Sequence, residues 1–342
     1  MSALTSRDVA RLAGVSQSTV SYVMSRKRPI SEYISAKVLA AIEQLTYEPN
    51  AGARALASQR TSVIGLVVPF GPGADSAGLL PFIENIARLA RQRDHEVLLV
   101  TSDEGSEGLR RLVGRKLCDA VILMDIRRTD ERVAVAAKLR VPIVLIGVPK
   151  DTAGLHCLDV DFAMGARLAV DELAAKGHDR ILLIGHPAEA IAQDLNFVRR
   201  FADGAREAAE RHGIDFGQVA PVEWGRAGAR DAVERVLARW IPGEHLGLLV
   251  PNSQSVQPML HALAARGVVP GRDLSVIAVL TDAGAEETEP PVTNVSLEPR
   301  DVSRRAVETL FRLLDPTQSG EPQSVELLPP RLTRRETVMS RV

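Results

Sequence analysis

Apolar residues recur along this chain in two rhythms. Up to about residue 48 they fall three and four apart, as on the inner face of an amphipathic helix; from Ser62 on they gather in short continuous runs between amphipathic stretches. In the first part, Thr5 with Asp8 three residues on reads as a helix start, followed by Val9, Leu12 and Ala13 on one face. Gly14-Val15-Ser16 breaks that helix, and Ser16 can cap a second one over about Gln17–Met24 that buries Val20 and Val23. "SRKRP" is a loop, and Ser31 caps a third helix to about Leu45, with Ile34, Val38, Leu39, Ile42 and Leu45 at helical spacing. This pattern predicts a small bundle with a helix-turn-helix at its front.

"YEPNAGARALASQRTS" (Tyr47–Ser62) follows, punctuated by Pro49, with Asn50 able to cap a short Ala-rich helix whose only large apolar side chain is Leu56. Helices of this length are marginal in water, so it reads as a linker that can become helical on binding. Beyond it, runs such as "VIGLVVP", "EVLLVT", "DAVILM", "PIVLIG", "RILLIG", "LGLLV" and "LSVIAV" alternate with helical patterns. Continuous apolar strands suit parallel sheets covered on both faces. There are too many for one comfortable sheet, which predicts two Rossmann-like lobes. The expected organisation is a head over 1–48, a linker over 49–61 and an α/β core over 62–342. Within the core, one lobe takes about 62–160 plus 292–320, and the other about 161–291 plus 321–342.

Composition sharpens this. The chain has 342 residues, 45% hydrophobic and 25% charged, with a formal net charge of −1. Its first sixty residues carry eight basic and four acidic side chains, a net of +4 that leaves −5 for the rest. A small basic module on a mildly acidic body is expected of a nucleic-acid reader. Cys118 and Cys157 form no disulfide framework and no metal-ligand spacing, which suits a reducing cytoplasm. No secretion signal is legible at the start, and the apolar runs are too short to span a bilayer. Enzyme chemistry finds no support: the seven histidines are scattered and no HExxH or CxxC occurs. "GPGADS" after the first strand lacks the third glycine of a dinucleotide loop. No metal or cofactor is expected.

A helix entering the major groove needs short hydrogen-bonding side chains at its N-terminal end, and Ser16, Gln17, Ser18 and Ser21 supply them. Thr5, Ser31 and Asn50 sit at helix starts, where free N–H groups favour phosphate. Taken singly, each is equally well an ordinary cap or solvated residue; Ala10, Gly14 and Val20 at the packing, turn and core positions of a helix-turn-helix make the set specific.

"DVARLAGVSQSTVSYVM…VLAAIEQLTYEPNAGARALAS" resembles the DNA-binding head and hinge of the lactose/galactose repressor family. The likeness continues through "GLVVP", "VDFAMGARLAVDELAAKGHDRILLIG", "VPNSQSV", "GRDLSVIAV" and "PPVTNVSLEP", nearly the whole chain. It implies a homodimeric transcription regulator, usually a repressor, with a periplasmic-binding-protein-like core that closes on a small effector. Two heads would read the half-sites of a near-palindromic double-stranded operator. The hinge would fold in the minor groove, with Leu56 wedging a base step. Tyr22 departs from the pattern, since relatives carry arginine there.

For the effector, the residues beyond strand ends are Asp75, Ser76, Asp125, Asp161, Trp224, Asn252 and Asp282. Asp161 and Asn252 match family ligand-binding positions. The family arginine falls near "NFVRRFADG", where spacing to Gly204 points to Phe201 and Arg200 is the adjacent arginine. Trp224 lies where some relatives stack an aromatic on a sugar. "VIAVLTD" puts Leu280 where relatives have a sugar-binding aspartate. Two readings stay open: a ligand less hydroxylated than a sugar, or a regulator controlled by a protein partner or by abundance. A solute-binding protein would share the core but not the head.

Overall fold

The computed structural model describes residues 4–25, 28–47, 60–70, 76–241, 243–315, 317 and 324–340. Asn50, Leu56 and Asp75 lie outside them, as does the side chain of Ser76. The chain divides into two compact units, Met1–Ser62 and Val63–Val342.

The first unit holds α1 (Ser6–Ala13), α2 (Gln17–Ser25) and α3 (Glu32–Gln44). At its start the Asp8 carboxylate accepts from the Thr5 backbone N–H at 2.9 Å and from the Thr5 hydroxyl at 2.8 Å. Gly14 ends α1 with φ +65°, a left-handed turn that costs glycine little and redirects the chain into α2. The interior is Val9, Ala10, Ala13, Val20, Val38 and Ala41, with Val15, Val23, Ile42 and Leu45 against it. Leu12 and Leu39, which the helical period places inward, are 45% and 58% exposed. Three short helices enclose only a narrow stripe.

The second unit contains two six-stranded sheets. The first is ordered β2-β1-β3-β4-β5-β11, from β1 (Val63–Val68), β2 (Glu96–Thr101), β3 (Ala120–Leu123), β4 (Ile143–Ile146), β5 (His156–Val160) and β11 (Val325–Leu328). The second is ordered β7-β6-β8-β9-β10-β12, from β6 (Arg180–Ile184), β7 (Asp215–Val219), β8 (Leu246–Val250), β9 (Ser275–Val279), β10 (Thr293–Ser296) and β12 (Arg331–Thr333). All pairings are parallel except β10 with β12. Alternation along the inner strands feeds two cores per lobe. Ile64, Leu66 and Val68 face one side of the first sheet and Val67 the other; Leu182 and Ile184 face one side of the second, Ile181 and Leu183 the other. Burial on both faces is why the inner strands read as unbroken apolar runs, whereas β2, at the sheet edge, is an apolar run left largely exposed.

Two strands sit in a different lobe from the one expected. Thr293–Ser296 joins the second sheet and Val325–Leu328 the first. The chain crosses between lobes three times, after β5, after β10 and after β11, and an apolar run does not encode which sheet it enters. The helix after the second crossing, Pro299–Leu314, does pack on the first lobe, through Val302, Ala306, Val307 and Leu310. No described helix is long and apolar enough to cross a membrane.

Candidate functional site

On the head, α2 presents Gln17, Ser18 and Ser21 to solvent while Val20 is buried, so one face is polar and free of bulk. Ser16 caps the helix, its hydroxyl accepting from the Thr19 N–H at 3.1 Å, and the Gln17 amide donates to the Ser6 hydroxyl at 2.8 Å. Ser31 caps α3, accepting from the Ile34 N–H at 3.5 Å. Tyr22 is half-buried, and the Arg28 guanidinium lies 5.2 Å from its ring centroid. Arg7, Arg11, Arg28 and Lys37 are exposed, giving this unit its cationic surface.

In the second unit a cavity of about 580 Å³ opens at the carboxyl ends of both sheets, the place where open α/β sheets bind ligands. Asp125 follows β3, His186 follows β6, Trp224 follows β7, Asn252 follows β8 and Leu280 follows β9; all line it. Phe82, Phe162 and Phe197 add rings, the last two with centroids 5.1 Å apart. Trp224 stands edge-on to His186 at 6.1 Å, and its indole Nε1 is buried without a hydrogen-bond partner among the described residues. Trp224 is placed by a tight turn: a Cβ on Gly228 would lie 1.9 Å from the Glu223 carbonyl oxygen, so only glycine fits there. Asn252 caps the next helix, accepting from the Ser255 N–H at 2.9 Å, and also donates to the Gly185 carbonyl at 3.3 Å.

The acidic side of the cavity is built with care for charge. Asp125 holds φ +49°, a left-handed conformation. The buried Arg132 guanidinium donates to its carbonyl at 2.9 Å and to that of Met124 at 3.2 Å. Arg132 in turn pairs with buried Asp130 at 2.7 Å. Burial opposes ionisation of Asp130, but the hydrogen bonds and charge of Arg132 and two backbone N–H groups outweigh it and hold the carboxyl below its usual range. Asp159, in the middle of a buried strand, is the residue the sequence reading missed. It lines the cavity and accepts from Arg200 Nη1 at 3.0 Å. Burial pushes its carboxyl up to about 7, more than Arg200 pulls it down, and Asp125 and Asp161 push the same way.

This shift has a sign. The folded chain keeps the Asp159 proton until about pH 7, whereas the unfolded chain releases it near 4. The stability that Asp159 contributes is therefore present below pH ~4, falls as pH rises to ~7, and is flat above. Asp159→Asn is expected to remove that decline, read as the denaturant midpoint against pH. Parallel profiles for the two proteins would contradict it.

Three expected effector residues stand elsewhere. Asp161 caps a helix, accepting from the Met164 N–H at 2.9 Å, and is not in the cavity wall. Arg200 is behind the wall, on Asp159 and 3.7 Å from Asp161. Asp282 accepts from the Thr333 hydroxyl at 2.8 Å and from Asn294 at 3.1 Å, with Arg335 3.8 Å away; it ties strands together and does not face the cavity. Leu280 lines the wall, so a hydrocarbon stands there. Cys118 and Cys157 are buried thiols that burial pushes up to about 11 and about 12, which keeps them protonated. Among the described residues no cluster of histidine, cysteine or carboxylates could hold a metal.

Comparison with known proteins places this geometry in a lineage. Residues 5–50 match the family described as bacterial regulatory proteins, lacI family, and residues 170–338 match the periplasmic binding protein-like domain. Catabolite control protein A of Streptococcus mutans is 28% identical over 327 residues, covering 94% of this chain and 95% of the relative. The ribose operon repressor of Escherichia coli K12 is 26% identical over 336 residues, covering 95% and 97%. A crystal structure of the Lac repressor dimer bound to operator and the anti-inducer ONPF superposes with a TM-score of 0.81 at 25% identity, covering 99% of this chain and all 100% of that one.

Proposed function

The chain belongs to the lacI family of bacterial regulatory proteins, DNA-binding transcriptional regulators with a ligand-binding core, and from that premise we propose how its parts do this work. It acts in the cytoplasm as a homodimeric repressor whose two heads read the half-sites of a near-palindromic operator. A small molecule in the cavity of the second unit changes the affinity for that operator. The observation that carries the reading is the exposed row Gln17, Ser18 and Ser21, beside Tyr22, on a helix entered through the Gly14 turn. Short donors and acceptors on a helix of this kind reach base edges, and the surrounding cations neutralise phosphate. Thr5, Ser16 and Ser31, at helix starts, position the head on the backbone. Asn50 and Leu56 are assigned to the hinge and its minor-groove wedge from the family likeness.

The dimer contact is assigned to the edge of the first sheet. β2 ends that sheet, and Leu98 and Leu99 on it are 37% and 43% exposed, with Leu80 on the neighbouring helix (Ser76–Arg91) 64% exposed. An apolar edge of this kind invites pairing with a second copy. The cavity's size supports control by a small molecule over control by abundance alone, because about 580 Å³ is the scale of a ligand site.

Selection of bound duplexes from a random-sequence pool, at near-physiological salt, tests the reading. The expected product is a near-palindrome with half-sites about one helical turn apart. A pool that emerges without an enriched motif would contradict it.

A further inference from the structure

The wall of the cavity says what kind of molecule it takes. Four aromatic side chains, Phe82, Phe162, Phe197 and Trp224, share it with aliphatic ones, Leu280 among them. Its acidic side chains are Asp125, Asp159 and Glu287, and among the described residues no lysine or arginine lines it. Besides its carboxylates, the wall's polar side chains are His186, Asn252, Ser253, Gln254 and Thr281, few against its hydrocarbon. Asn252 is committed to Ser255 and Gly185, the Thr281 hydroxyl caps the helix at Gly284, and Asp161, Arg200 and Asp282 are out of the wall. A sugar would exchange hydrated hydroxyls for hydrocarbon, and an anion would face carboxylates.

We propose that the cavity takes a ring-bearing, mainly apolar amine, its protonated nitrogen against Asp125 and Asp159 and its ring among Phe162, Phe197 and Trp224. A cation satisfies carboxylates and is also attracted to the faces of aromatic rings. It relieves the cost of keeping Asp159 buried, a carboxyl that Arg200 and the Val160 N–H together leave up at about 7. Arg132, holding the Asp125 carbonyl, fixes the acidic side in place before the ligand arrives.

This inference rests on the reading of the chain as a ligand-modulated regulator, and its test contains no DNA. Thermal melts of the full chain are run with tryptamine, phenylethylamine and benzylamine, with the matched acids indoleacetate, phenylacetate and benzoate, and with glucose and ribose. One or more of the amines is expected to raise the melting temperature, because a ligand of the folded state alone does so, while the acids and sugars leave it unchanged. Asp125→Asn and Asp159→Asn, each nearly isosteric, are expected to weaken the amine by about tenfold or more. Asparagine tolerates the left-handed backbone at residue 125, so that variant keeps its fold. Stabilisation by an acid or a sugar, no shift with any amine, or amine shifts that persist unchanged in both variants would each overturn the proposal. A chain that selects a DNA motif but ignores the amines loses this inference alone. A chain that binds the amines but selects no motif loses the regulator reading alone.

Discussion

Leu98→Asp combined with Leu99→Asp is expected to leave the chain monomeric and to weaken operator binding by about a hundredfold or more. Both side chains are on an edge strand and substantially exposed, so the change leaves both lobe interiors intact. The strand keeps its backbone ladder to β1, from Val63 with Glu96 to Val68 with Thr101. What changes is pairing between copies. Four carboxylates would meet across a two-fold axis, and like charges placed opposite each other repel. A dimer binds its second half-site as an intramolecular event, a gain of about 10²–10⁴ that a monomer forgoes. Sedimentation and fluorescence anisotropy on the selected duplex read the two effects together. A double variant that remains dimeric with undiminished affinity would move the dimer contact off this edge.

Tyr22→Arg is expected to turn the base preference at the step facing residue 22 toward guanine. Arginine reaches guanine O6 and N7 with two parallel hydrogen bonds, worth about 1–3 kcal/mol of discrimination, or roughly 5–150-fold. Tyrosine has one hydroxyl and an apolar ring suited to a thymine methyl. Its ring lies under the Arg28 guanidinium at 5.2 Å, so the variant also places two guanidinium groups side by side. Arg28 is thereby released toward phosphate, which affects affinity for every sequence alike and leaves the base preference as the clean readout. An unchanged selected motif would show that Tyr22 does not face a base.

The sequence made the larger architecture legible because its signals are local. The Gly14 break, the caps at Thr5 and Ser31 and the doubly buried strands are each written within a few residues. Asp282 shows where local reading stops. Its partners Asn294, Thr333 and Arg335 come from much later in the chain, the first two on strands, and nothing near residue 282 announces that its carboxylate is occupied. The same holds for Asp161, a helix cap by sequence, whose neighbours Arg167 and Arg200, 3.9 and 3.7 Å away, only the fold reveals. Asp159 had a signal, a lone carboxylate inside "HCLDV", yet that strand is too weakly apolar to stand out as one. Leu12 and Leu39 matched the helical period and still face solvent, because a bundle of three short helices has too little interior for them.

The central claim is sequence-specific recognition of DNA, and it is tested most directly by a ratio. The affinity of the full chain for the selected duplex is measured against a shuffled duplex of equal length, at one near-physiological salt concentration. The account predicts a ratio of about 10³ or more, the range of specific over non-specific binding. A ratio within a few-fold of one would mean that the cationic head only neutralises phosphate, and that the polar face of its second helix does not read bases.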